Sequence, residues 1–358
     1  MVMMTKKVNI GGMKVHTYKH TEDFILESGE VLPGFELEYN TMGELKEGVK
    51  IVWVCHALTG NADVKEWWNG LFGKGKLYNE KEHFVICANV LGSCYGSTGP
   101  LSTNPKTGKP YFHDFPQVTI KDIARSLNLL RESLEIGHID TLIGASLGGQ
   151  QALEWSIQCP DLFENLIVVA SNAQHSPWGI AFNESQRLAL QADPTWYENR
   201  EDAGQNGLRA ARAIAMLSYR HYETYSQTQT DKQEEQLDNY KASSYQRYQG
   251  DKLVERFNAY SYWVLSKAMD AHHVGRGRGG LQKALKSIKA KTLIIGISSD
   301  VLFPVNEQRL IAEHIPSATY HELESLYGHD GFLVHFEELK ECIDHFYYAA
   351  ERVQLQVG

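Results

Sequence analysis

The sequence predicts an α/β fold with a helical block inserted into it, and three observations lead there. Short, β-branched-rich apolar runs with polar boundaries recur along the chain, helical patterns separate them, and a long central stretch breaks the rhythm. The runs are IVWVCHAL (51–58), FVICANVLG (84–92), IDTLIGAS (139–146), LIVVAS (166–171) and TLIIGIS (292–298). Most show no polar alternation, as expected of strands covered on both faces of a parallel sheet. Between them, IKDIARSLNLLRESL (120–134) places Ile120, Ile123, Leu127 and Leu130 on one helical face. A second helix spans Gln150 to Gln158 and is ended by Pro160. Alternating strand and helix is the signature of the class. Residues 177–288 are instead polar, rich in Gln, Tyr, Arg and Ala, and read as several helices with no strand, most clearly in GLRAARAIAMLSYRHYETY and DKLVERFNAYSYWVLSKAMDAHH. The expected organisation is an α/β domain over 1–176 and 289–358, with a helical lid over 177–288.

Composition narrows the function. With 358 residues, 42% hydrophobic and 22% charged, the chain can bury a large core. A net charge of −9 argues against nucleic-acid binding, which needs a basic surface. The five cysteines (Cys55, Cys87, Cys94, Cys159 and Cys342) are odd in number, scattered and without CxxC spacing. They read as free thiols of a reducing compartment, with no zinc site of that kind. The amino-terminal MVMMTKKVNIGG lacks an apolar leader core, and no apolar run approaches 18 residues. The expectation is a soluble, cytoplasmic protein with no metal, nicotinamide or pyridoxal site.

The most informative string is IDTLIGASLGGQQALEW. An apolar strand runs into Gly144-Ala145-Ser146-Leu147-Gly148 and a helix follows at once, which is G-x-S-x-G in its strand–turn–helix setting. Side chains two residues either side of the serine would clash in so tight a turn. The serine is held strained with its hydroxyl exposed, at a helix N-terminus that favours developing negative charge. Its partners should follow in the order acid, then histidine. Asp300, in GISSDVLFP, comes at the end of a strand on the serine's sheet edge, and His329, in YGHDGF, lies between glycines after the strand-like ATYHELES. His329 would take the Ser146 proton while Asp300 orients the imidazolium. The oxyanion donors would be the N–H of Leu147 and, from the loop HALTGN after an early strand, the N–H of Leu58. Serine acyl chemistry on an α/β-hydrolase fold is as far as these residues alone reach.

Longer strings carry a resemblance. HALTGNA, ANVLGSCYGSTGP, FPQVTIKDI, GASLGGQQALEW, GLRAARAIAMLSYR, KAMDAHHVGRGRGG, SSDVLFP and YGHDGF are similar to the homoserine O-acetyltransferase family and occur in that family's order, from about residue 20 to the C-terminal helix. The resemblance implies ping-pong transfer of an acetyl group from acetyl-CoA to the hydroxyl of L-homoserine, a step of methionine biosynthesis, with acetyl-CoA as a substrate and not a resident cofactor. It implies the triad Ser146, Asp300 and His329 and the oxyanion donors Leu58 and Leu147. It implies further that Arg212 holds the substrate carboxylate, that Tyr219 lines the same pocket, and that Asp330 binds the substrate amine. Where the family commonly has Gly, Gln and Thr, this chain has Ser93, Tyr95 and Ser97; it reads GASLGG for GGSMGG, and Asn258 and Tyr260 for Asp and Asn. These departures bear on the acyl group (acetyl or succinyl) and the acceptor (homoserine or serine).

Two other classes compete. The same triad with water as acceptor gives an esterase or thioesterase, which has no need of Arg212 and Asp330. A non-enzymatic relative of the fold typically lacks a triad member. Gly275, Gly277 and Gly280 satisfy G-x-G-x-x-G but follow a helix instead of a strand, so they do not mark a dinucleotide site. Arg276 and Arg278 of that loop are expected near the mouth, meeting coenzyme A phosphates. Surplus apolar residues in the lid, among them Tyr262, Trp263 and Leu265, lead to the expectation of a homodimer through the lid helices.

Overall fold

The apolar runs become strands of one nine-stranded mixed sheet, and burial on both faces is what removes their polar alternation. The structure is a computed structural model. It describes residues 12–348 in full and the backbone alone of 7–8 and 349–357, so the amino-terminal leader question falls almost entirely outside the described residues. The chain begins with an antiparallel flank, β1 (Lys7–Val8), β2 (Lys14–Ile25) and β3 (Val31–Met42). Next come β4 (Lys50–Cys55), the single-turn helix α1 (Val64–Trp67), β5 (His83–Ala88) and the small ribbon β6 (Thr103–Asn104) and β7 (Lys109–Pro110). The helix α2 (Ile120–Ser133), β8 (Ile139–Ala145), α3 (Leu147–Gln158) and β9 (Phe163–Val169) follow. The central stretch forms α4 (Pro177–Gln191), α5 (Gln205–Tyr219), α6 (Tyr222–Gln229), α7 (Lys241–Val254), α8 (Ala259–Asp270) and α9 (Leu281–Leu285). The chain returns to the sheet in β10 (Lys291–Ile297), α10 (Val305–His314), β11 (Ala318–Leu323) and α11 (Phe336–Val357).

The sheet order is β1-β2-β3-β5-β4-β8-β9-β10-β11, parallel from β5 onward. Trp53, Ile86, Leu142, Leu166 and Ile294 face one core, shared with α2 and α3. Their neighbours Val52, Val54, Ile143, Ile167 and Ile295 face a second core built with Trp68 and Phe332. Each strand is therefore apolar at both parities. Strands end earlier than the apolar runs: IVWVCHAL stops pairing at Cys55 and FVICANVLG at Ala88. His56, Leu58, Val90 and Leu91 stay buried in the loops that follow, so burial there marks a loop and not a strand. The long hairpin β2–β3 has no counterpart in the sequence reading. Most of β2 is partly or fully exposed, with only Tyr18 and Phe24 buried, so its string KVHTYKHTEDFI carries no apolar run.

The helical block begins and ends at one place. His175 N–H donates to His272 O (3.0 Å) and Val274 N–H to Ala173 O (2.9 Å), clipping its two ends together. The two long helical strings are each broken, at Arg220–His221 and at 255–258, where Asn258 caps α8 by accepting from Ser261 N–H at 2.8 Å. An amide caps as well as a carboxylate, so Asn258 in place of aspartate keeps this break.

The turn at Ser146 is fixed by backbone crowding. Ser146 has φ 57° and ψ −125° and leads directly into α3, which starts at Leu147, earlier than the Gln150 expected. A Cβ on Gly144 would lie 2.2 Å from Gly148 O, and one on Gly148 would lie 2.0 Å from Cys55 O. Gly148→Ala is therefore expected to cost about 3 kcal/mol or more, because the obstacle is backbone and cannot rotate away. Gly137→Ala, whose Cβ meets nothing within 4 Å, should stay within about 0.5 kcal/mol of wild type. Urea denaturation of both variants checks this, and equal midpoints would contradict it.

Candidate active site

Three loops at the carboxyl ends of parallel strands converge on Ser146. The first is the turn after β8. Ser146 N–H donates to Val169 O (3.0 Å), and its carbonyl accepts from the Ser171 hydroxyl at 2.7 Å, so the next strand's end anchors the strained residue. The second follows β10. Asp300 lies three residues beyond the strand end, where its Oδ1 accepts from the N–H groups of Leu302 (2.8 Å) and Phe303 (2.9 Å). The third follows β11, where His329 lies in a 3-10 turn, Gly328–Leu333.

These loops bring the three predicted side chains into one hydrogen-bonded chain. His329 Nδ1 lies 2.6 Å from Asp300 Oδ2 and Nε2 lies 2.9 Å from Ser146 Oγ. With Nδ1 protonated toward the carboxylate, Nε2 is the acceptor for the serine hydroxyl. All three residues are buried. Phe303 stacks on the imidazole at 5.0 Å, Phe332 meets it edge-on at 5.5 Å, and Tyr219 lies 5.8 Å away. Burial disfavours the His329 cation, but Asp300, the hydrogen bond to it and Asp330 more than offset this and hold the imidazole above its ordinary pKa. Such a chain can deprotonate the serine as it attacks a carbonyl carbon.

Leu147 opens α3, and Leu58 is buried in the loop after β4. The peptide that carries the Leu58 N–H is gripped by its carbonyl end, since Ala57 O accepts from His56 Nδ1 (2.8 Å) and from Gly60 N–H (2.9 Å). Val90 N–H donates to His56 Nε2 (3.1 Å), which fixes that tautomer, and burial pulls the imidazole down to about 4, keeping it neutral. Gln151 Nε2 donates to His56 O (3.1 Å) and Leu147 O (3.2 Å), tying this loop to α3. Arg256, between α7 and α8, donates from Nη1 to Thr59 O (2.5 Å) and to the Tyr95 hydroxyl (2.6 Å). Tyr95 thus joins a contact between the helical block and the loop of Leu58. None of His56, Gln151 and Arg256 was singled out from the sequence; a histidine closing the apolar run IVWVC was the one available signal.

The remaining predicted residues also gather beside His329. Arg212 and Tyr219 share a face of α5, with the guanidinium 5.2 Å from the Tyr219 ring centroid, and Arg212 Nε is buried with no hydrogen-bond partner. Asp330 is largely buried, and Arg220 Nε, which the sequence reading passed over, lies 3.1 Å from its Oδ2 without pointing its N–H at that oxygen. Burial raises the Asp330 pKa above the ordinary carboxylate value, against the lowering pull of Arg220, Arg212 and His329.

Other expectations fare differently. Arg278 is bound by Glu154 (Nη1 to Oε2, 2.9 Å) and Arg276 by Glu27 (3.1 Å). Their charge is neutralised by acidic partners within the fold, which removes the reason to assign them phosphates. Tyr262 and Leu265 are fully buried within the fold, so they are not spare apolar surface. All five cysteines are free. No helix among the described residues is long and apolar enough to cross a membrane. At the opposite sheet end, His138, Asp140 and Glu164 bring one ligand atom each within 4.8 Å of one another, but Asp140 already accepts the Ile51 N–H at 2.6 Å.

Known proteins share this fold. The family model described as alpha/beta hydrolase fold matches residues 50–336. A homoserine O-acetyltransferase of Cyclobacterium marinum is 53% identical over 327 residues, covering 91% of this chain and 93% of that protein. The crystal structure of homoserine O-acetyltransferase from Bacillus anthracis superposes with a TM-score of 0.83 at 24% identity, covering 93% of this chain and 97% of that one. Esterase E22 superposes as well, with a TM-score of 0.84 at 23% identity and 93% and 99% coverage, so fold alone does not separate the two activities. At 53% identity over nearly its whole length, the chain belongs to the homoserine O-acetyltransferase family of α/β-hydrolase-fold proteins.

Proposed function

We propose that the protein transfers an acetyl group from acetyl-CoA to the hydroxyl of L-homoserine through an acyl-Ser146 intermediate. The observation that carries this reading beyond generic ester chemistry is the buried, unpartnered Nε of Arg212 in the block above the triad, within electrostatic reach of Asp330. A buried guanidinium donor without a partner is costly unless a ligand completes it, and a planar fork suits a carboxylate. Asp330, beside the base, offers a negative charge to an ammonium. An α-amino acid brings both groups, whereas an ester hydrolase has no use for either.

His329 accepts the Ser146 proton as Oγ attacks the thioester carbon. The oxyanion is held by the N–H groups of Leu58 and Leu147, and the coenzyme A thiolate leaves with the proton from His329. Homoserine, gripped by Arg212 and Asp330 with Tyr219 lining the pocket, gives its hydroxyl proton to His329 and attacks the acyl-serine. Ser146 then leaves and recovers the proton. Acetyl-CoA is a substrate, and the protein's groups supply all the acid–base chemistry. The helical block 177–288 acts as the lid that excludes water from the acyl-enzyme. A cytoplasmic location fits the five free thiols. A homodimer through the lid fits the exposed Leu188, Leu217, Tyr222 and Tyr248, which replace the buried Tyr262 and Leu265 as the supporting residues.

Thiol release from acetyl-CoA tests the reaction. It should require L-homoserine, exceed release with L-serine or with succinyl-CoA as donor, and fall at least about a thousandfold in Ser146→Ala. Equal release without an acceptor would make the protein a hydrolase. A second test is the pH profile. A base works when unprotonated and Asp300 favours the protonated form, so kcat/KM for acetyl-CoA should fall with decreasing pH through an ionisation above the 6.5 of a free imidazole. In Asp300→Asn that ionisation should drop, because burial is then opposed by Asp330 alone, and the rate should fall about 10³- to 10⁴-fold. An unmoved profile would remove His329 as the base. For the dimer, Leu217→Glu with Tyr222→Glu should halve the mass in analytical ultracentrifugation; an unchanged mass would place any interface elsewhere.

A further inference from the structure

Arg220 stands at a junction that the catalytic chain leaves unexplained. It caps the C-terminus of α5, one residue past Tyr219, and its Nε lies 3.1 Å from Asp330 Oδ2. Its backbone is pressed onto the turn that carries His329 and Asp330. A Cβ on Gly328 would come within 2.9 Å of Arg220 C and 3.0 Å of Tyr219 O, and Gly328 takes φ +63°. The Thr224 hydroxyl donates to Leu326 O in the same turn. The end of α5 that carries Arg220 is therefore packed directly against the turn that carries Asp330.

We propose that Arg220 is the positioning residue that makes Asp330 a reader of the substrate's α-amino group, an inference that rests on the reading of this site as an amino-acid acetyltransferase. An isolated carboxylate in so buried a place would take up a proton and lose its hold on an ammonium. The Arg220 charge, 3.1 Å from Oδ2, opposes this before substrate arrives, and because its Nε–H is not aimed at that oxygen the carboxylate keeps acceptor capacity for the incoming amine. Charge counting agrees. Arg212, Arg220 and Asp330 sum to one net positive charge, so the substrate carboxylate is attracted to Arg212 while its ammonium finds a fixed acceptor. Without Arg220 the carboxylate grip survives and the amine grip weakens.

The test compares two acceptors on the same preparation, L-homoserine and its des-amino analogue 4-hydroxybutyrate, with acetyl-CoA as donor. The readout is the ratio of their kcat/KM values, in which a loss of folded enzyme cancels. Arg220→Met should lower that ratio about tenfold, mainly through the KM for homoserine. Arg220→Lys, which restores a point charge, should bring it back to within about threefold of wild type. In an Asp330→Asn background, Arg220→Met should change the ratio by less than about twofold, because the two residues act as a unit. An unchanged ratio in Arg220→Met, or an equal fall with Asp330 already replaced, would overturn the inference while leaving the acetyltransferase reading intact. A wild-type enzyme that acetylates neither acceptor would overturn that reading and this inference with it.

Discussion

The contact between the Gly148 Cα and the Cys55 carbonyl is the constraint on which the site depends. It lets α3 begin directly against the end of β4, with no side chain between them. Only at that separation do Leu147 and the loop of Leu58 belong to one site, and only then can Gln151 reach His56 O and Leu147 O with one amide nitrogen. The strain at Ser146, whose φ of 57° is unfavourable for a residue with a Cβ, is held by four bonds to its own peptide groups, from Gly149, Gln150 and Ser171 and to Val169. Ser146 thus sits in a segment whose backbone has nowhere to move.

Two adjacent acidic groups serve different ends because their surroundings differ. Asp300 is held by two backbone N–H groups and by His329, three donors that satisfy its oxygens. Asp330 has an imperfectly aligned arginine, and burial raises its pKa. The first carboxylate is satisfied before substrate arrives and can only orient the histidine. The second keeps capacity for a further donor. Environment, and not residue type, separates the two roles.

The sequence disclosed the parts whose chemistry is written locally. Strands buried on both faces must be apolar at every position, so β4, β5, β8, β9 and β10 were visible as runs. A turn that admits no side chain must be glycine on both sides, so Ser146 was visible as G-x-S-x-G. The hairpin β2–β3 was not, because a half-exposed antiparallel strand such as KVHTYKHTEDFI has the composition of a loop. Arg220 and His56 were missed for another reason: each matters only through a residue distant in sequence, Asp330 and Val90 respectively. Arg276 and Arg278 looked like free cations in a glycine-rich loop for the same reason, since Glu27 and Glu154 lie more than a hundred residues away. Spacing reveals neighbours on one helix or turn, and it carries no information about charge pairing across the fold.

The same triad can serve transfer or hydrolysis, so on the proposed reading the choice between them lies outside it. It lies in how the helical block meets the histidine turn. The end of α5 touches that turn through the backbone at Gly328, through Arg220 on Asp330 and through Tyr219 beside the imidazole; the start of α6 adds Thr224 on Leu326. The groups that would recognise an amino acid and the group that would deprotonate it therefore share one short segment of chain. On the proposed reading, recognition of the acceptor and activation of its hydroxyl would be a single geometric event, and water, with no carboxylate for Arg212 and no ammonium for Asp330, would gain nothing from that arrangement. On this argument the helical block belongs to the chemistry as much as to the cover, and a change that loosened α5 from the turn would favour hydrolysis while leaving Ser146, His329 and Asp300 in place.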